Sequence, residues 1–183
     1  MKSHKSVSFI LSALIAVLVF CTFPSSSYAE VDNEYITSVF KELDCLPLEK
    51  CKSKALEGGG EAKYFIGLMY YKGISDDEKN VKVPKDYEKA VKWLRKASEQ
   101  GNAEAQAFLG IAYKFGNGVR QNDQKAAKWF RKAAKQGNAD AQLELGTIYD
   151  NGRGFRQNSE KAVKWYRKAA KQGQPEGQFN LGV

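Results

Sequence analysis

The residues that could do chemistry are few. His4 is the only histidine, and the cysteines are Cys21, Cys45 and Cys51. Imidazole is the commonest general base near neutrality and the commonest metal ligand, and His4 lies in a stretch expected to be removed. Lys2 and Lys5 precede a mostly apolar run from Val7 to Cys21, followed by Pro24, three serines and Ser27-Tyr28-Ala29. Basic, apolar and small-residue segments in that order read as a secretory signal peptide, residues 1–29, cut after Ala29. The alternative, a membrane anchor, needs about 20 apolar residues, and this run has 15. Bulky Phe20 argues against lipoprotein processing at Cys21. Cleavage lowers the net charge from +8 to +6, because Lys2 and Lys5 leave and no acid does. It also removes the sole imidazole, which excludes histidine triads and histidine zinc sites. No catalytic residue, metal site or cofactor is expected.

Cys45 and Cys51 remain, and export to the periplasm or beyond would bring them into an oxidising compartment. A disulfide between them is one reading, two unpaired thiols the other. Six residues of continuous helix rise about 9 Å, beyond the Cα separation of roughly 7 Å that a bridge tolerates. The bridge therefore requires Cys45 outside a helix. Pro47 suits a first helical turn and would start one just after Cys45.

The elements that must position any site repeat along the chain. Gly101–Gln136 reads GNAEAQAFLGIAYKFGNGVRQNDQKAAKWFRKAAKQ, and Gly137–Gln172 matches it at 23 of 36 positions without a gap, too many for anything but repeated structural units. A partial copy occupies residues 173–183, and an earlier one, 58–100, is seven residues longer. The extra residues fall between Gly73 and Val83, where the polar stretch ISDDEKNVK reads as a protruding loop. Each unit reads as two helices. Asn102 caps the first, Asn122 the second, and Asn158 and Asp86 take the matching places. Gly101, Gly137 and Gly173 follow helix ends, and Pro175 opens the last helix. Residues 30–57 read as a degenerate N-terminal capping helix pair. At the other end Phe179 and Leu181 would lack the partner helix that the pattern expects.

The pattern A-x-x-x-L-G-x-x-Y-x-x-G-x-G-V, then K-A-x-x-W-[FY]-x-K-A-A-x-x-G, resembles the Sel-1-like repeat, a relative of the tetratricopeptide repeat. Here it is Ala105, Leu109, Gly110, Tyr113, Gly116, Gly118 and Val119, then Lys125, Ala126, Trp129, Phe130, Lys132, Ala133, Ala134 and Gly137. The resemblance covers residues 58–183. It implies an all-α fold, a right-handed α-solenoid of antiparallel helix pairs used as a scaffold for protein complexes, with many bacterial members exported. A cysteine-rich branch of the family is linked to β-lactam binding and hydrolysis. This chain departs from it, having no cysteine between positions 52 and 183.

Comparing the copies separates the faces of the first helix. Positions 105, 106, 109, 110 and 113 fall within about 140° of one another at about 100° per residue and barely change, so they form the packing face. On the opposite side Glu104, Ala107, Ile111 and Lys114 become Asp140, Leu143, Thr147 and Asp150, and earlier Glu61, Tyr64, Leu68 and Tyr71. These twelve residues are the candidate binding groove for a protein or peptide, with Tyr64, Leu68, Tyr71, Ile111 and Leu143 as an apolar and aromatic strip. The competing reading is that the strip packs between adjacent repeats and that the acids offset helix N-terminal dipoles.

The second helices carry a lysine ladder: Lys89, Lys92 and Lys96, then Lys125, Lys128, Lys132 and Lys135, then Lys161, Lys164, Lys168 and Lys171. It could meet anionic lipid, cell-wall polymer or an acidic protein face, or be a solvated outer surface. No nucleic-acid partner is expected, since no recognised binding motif is present. Trp93, Trp129 and Trp165 recur at one register, which argues for core packing.

Overall fold

The structure, a computed structural model, describes residues 48–76 and 81–181. The expected signal peptide, the first helix of the capping pair and Cys45 lie outside the described residues, as does the side chain of Cys51.

Helix α1 (Leu48–Glu57) begins directly after Pro47. Then come α2 (Gly60–Lys72), β1 (Ile74–Asp76), β2 (Val81–Val83), α3 (Tyr87–Glu99), α4 (Ala103–Phe115), α5 (Asp123–Lys135), α6 (Ala139–Asn151), α7 (Ser159–Lys171) and α8 (Pro175–Leu181). The caps are those the sequence specifies. Asp86, Asn102, Asn122 and Asn158 each accept a hydrogen bond from the backbone N–H three residues on, at 2.7–2.9 Å, which satisfies one donor that the first helical turn leaves open. Gly101, Gly137 and Gly173 follow the second helices with φ of 85°, 97° and 84°.

Helices α2/α3, α4/α5 and α6/α7 form pairs, and each second helix also packs against the first helix of the next unit. Glycine sets how closely the members of a pair approach. A Cβ at Gly110 would lie 2.7 Å from the Phe130 ring, and one at Gly146 would lie 2.5 Å from Tyr166. Between units, a Cβ at Gly118 would meet the Tyr87 carbonyl at 2.2 Å, and one at Gly154 the Asp123 carbonyl at 2.4 Å. The second glycine of each G-x-G turn thus lets one repeat's turn rest on the start of the preceding repeat's second helix. Leu94, Leu109, Phe130 and Leu145 are fully buried, and Val119 and Trp129 border both clusters of the core, which runs on from unit to unit.

Two expectations need correction. The seven-residue insertion is anchored by a β-hairpin, not carried as a loop: Ile74 pairs with Val83, Ser75 with Lys82 and Asp76 with Val81. Ile74 and Val83 are both buried, so the base of the hairpin seats on the core. The tryptophans are not interior residues. Trp93, Trp129 and Trp165 are partly exposed at the core's edge, and the buried position is the next one along, held by Leu94, Phe130 and Tyr166. Helix period explains it, since a one-residue step turns a side chain by about 100°.

Among the described residues, no helix is long and apolar enough to cross a membrane.

Candidate protein-binding face

The twelve candidate positions divide by depth. Tyr64, Leu68 and Ala107 are buried, at 5%, 1% and 0% exposure, so they do not line a groove. Here the competing reading holds, because successive first helices touch at this register. The Tyr64 ring centroid lies 5.8 Å from that of Phe108, and Tyr71 meets Phe108 edge-on at 5.4 Å. Tyr71 is half-buried, and its hydroxyl accepts a 2.7 Å bond from Asn117 Nδ2 of the next unit.

Polar members of the set tie repeats together. Lys114 Nζ lies 2.8 Å from both carboxylate oxygens of Glu144. Asn138 Nδ2 donates to Glu104 Oε1 at 2.7 Å, and one repeat on, Gln174 Nε2 donates to Asp140 Oδ1. Burial raises the Glu104 carboxyl to about 7 and that of Asp140 to about 6. The Asn138 and Gln174 amides pull down, and neighbouring acids push up, Asp140 on Glu104 and Glu144 with Glu176 on Asp140. Both acids can therefore change protonation near neutrality.

What stays accessible is a smaller, mixed surface across α4 and α6. Ile111, Leu143 and Thr147 are partly exposed, Asp150 is exposed, and the Lys114–Glu144 pair lies among them. Glu61 is exposed on α2. Thr147 Oγ1 donates to the Leu143 carbonyl at 3.2 Å, which fixes its rotamer. A small, partly open space of about 60 Å³, bordered by Lys114, Glu144, Thr147 and Arg153, lies beside the ion pair. Glu144 was absent from the candidate set. The signal was there, since position 144 matches Phe108 and Phe65 in earlier copies and alone carries a charge.

No group of three or more His, Cys, Asp or Glu side chains able to hold a metal occurs among the described residues. On the other layer all eleven ladder lysines are exposed.

Helix pairs stacked at a 36-residue period, joined by glycine-mediated contacts, define an all-α solenoid of the tetratricopeptide-like class. The Sel1 repeat family model matches residues 60–102, 103–138 and 139–174, and the chain belongs to that family. A sel1-like repeat-containing protein of Acanthamoeba polyphaga mimivirus is 32% identical over 71 residues, covering 39% of this chain and 11% of that protein. A protective antigen from uropathogenic Escherichia coli strains, with an SLR fold, aligns at 36% identity and TM-score 0.67 over 75% of this chain and 28% of its own. A Sel1 repeat protein from Oxalobacter formigenes aligns at 30% and 0.62, covering 73% and 52%. Helicobacter pylori cysteine rich protein B aligns at 27% and 0.56, covering 74% and 98%. The chain thus spans about a tenth of its mimivirus relative and about a quarter of the E. coli antigen. Sel1-repeat proteins generally mediate protein–protein interaction and are typically non-catalytic scaffolds.

Proposed function

We propose that this chain is an exported adaptor that holds a segment of a partner protein on the face formed by α4 and α6, in the cell envelope or outside the cell. The observation that carries the reading is the accessible group Ile111, Leu143, Thr147 and Asp150 around the Lys114–Glu144 pair, presented by two first helices locked to each other. Apolar anchors rimmed by charge, on a backbone that need not reorganise, suit capture of a peptide or helix. Export is supported by the order of basic, apolar and small residues in positions 1–29.

A photo-crosslinking residue at Ile111 or Leu143 should capture a discrete partner from the envelope fraction, and the same residue at Lys128 should not. Ile111→Asp should abolish that capture with helical content retained. A partner trapped equally from both layers would overturn the assignment of the face.

A further inference from the structure

The lysine ladder has no part in that function. Helices α3, α5 and α7 carry 14 Lys and Arg against 4 Asp and Glu, whereas α2, α4, α6 and α8 carry 3 against 6, so among these helices the net positive charge lies on one layer. With about 1.5 Å of rise per residue, Lys125, Lys128, Lys132 and Lys135 set a cation about every 5 Å along their helix. The row recurs on α7, where Lys161, Lys164, Lys168 and Lys171 are likewise exposed.

Half of this array is held in place by aromatic rings. Lys96, Lys132 and Lys168 stand 4.8, 4.3 and 4.5 Å from the ring centroids of Trp93, Trp129 and Trp165. Lys89, Lys125 and Lys161 stand 5.6, 5.4 and 5.4 Å from those of Tyr70, Tyr113 and Tyr149. Ammonium groups fixed over rings lose less side-chain freedom when an anion arrives.

The same contacts narrow the class of anion. The rings recurring on this layer are covered by ammonium groups, so they offer no platform on which nucleobases could stack. Of the exposed large apolar side chains among the described residues, Leu56, Phe115, Val163 and Phe179, only Val163 lies on α3, α5 or α7. The face therefore has no row of apolar side chains to enter a bilayer. What remains is charge at regular spacing over successive helices, which a flexible chain can follow. We propose that the second-helix face binds a linear, base-free phosphate polymer through many weak ionic contacts.

Long-chain inorganic polyphosphate is the probe, titrated into the purified protein over a range of salt concentrations. Affinity should fall linearly on a log–log plot against salt, as counterion release requires. The triple variant Lys92→Glu, Lys128→Glu, Lys164→Glu spares every lysine stacked on a ring and should bind at least about tenfold more weakly. Arg120→Glu, Arg153→Glu, Arg156→Glu changes net charge equally from the exposed inter-helix segments, and should weaken binding less than about threefold. Both must keep the wild-type circular dichroism spectrum. Equal losses in the two triples would reduce the effect to net charge and overturn the proposal. So would binding of oligothymidine, or of phosphatidylglycerol vesicles, as tight as that of polyphosphate.

Discussion

Lys114 Nζ lies 2.8 Å from both oxygens of the Glu144 carboxylate, thirty residues away, and so links the last turn of α4 to the middle of α6. Both side chains are about a quarter exposed, so the pair is screened less than a surface pair but is not cut off from water. A double-mutant cycle with Lys114→Met and Glu144→Gln should give a coupling of about 0.5–1 kcal/mol. Chemical denaturation measures it, and a coupling of zero would mean that the two charges do not hold the helices together.

The glycine contacts predict a ranking. Gly110→Ala and Gly146→Ala force a methyl group into the Phe130 and Tyr166 rings and should each cost about 1–3 kcal/mol. Gly154→Ala meets a backbone carbonyl, which cannot rotate away, and also carries a φ of 76° unfavourable to alanine. Its loss should exceed that of Gly101→Ala, where nothing lies within 4 Å and only the positive φ opposes the change, by about 1–3 kcal/mol. Urea midpoints at constant m-value test the order.

Stability should depend on pH through Glu104 and Asp140. Their carboxyls are raised by burial to about 7 and about 6, from ordinary values of 4.5 and 3.8, so the folded chain binds protons that the unfolded chain has released. Their contribution is fully present below the unfolded values and is lost as pH rises through 6 to 7. Glu104→Gln keeps an acceptor for Asn138 without a titrating group. Its melting temperature should fall less than that of the wild type between pH 5 and about 8. Parallel curves would show that Glu104 does not titrate in this range.

Asn122→Ala and Asn158→Ala remove caps in matching units and should each destabilise by about 1 kcal/mol. A cost confined to one of them would show that the two junctions are not equivalent, although their bonds are both 2.8 Å long.

Much of this architecture is written in local residue chemistry. Caps at Asn102, Asn122 and Asn158, glycines at 101, 137 and 173 and the packing face through Leu109 and Gly110 each depend on neighbours within a few positions, so comparing copies finds them. The candidate site was less legible, because Tyr64, Leu68 and Ala107 are buried against residues of another repeat. A variable position facing a neighbouring unit looks the same in sequence as one facing solvent. The hairpin was hidden for a related reason: Ile74 and Val83 are ordinary apolar residues at the edges of a charged stretch, and only their pairing shows that they share one face.

Gln106 Nε2 donates to the Ser98 carbonyl behind it, while its Oε1 accepts from Gln136 Nε2 at 2.8 Å. Gln142 repeats both bonds, to Ala134 and from Gln172. Every internal unit thus offers its neighbours the same donor and acceptor, and excising or duplicating 36 residues would leave no amide stranded at the seam. Position 63 breaks the rule: Lys63 stands where the glutamine would be and donates to both the Gly58 carbonyl and Gln100 Oε1. In this amide network the junctions downstream of residue 100 are therefore interchangeable, whereas Lys63 gives the unit of α2 and α3 a junction of its own.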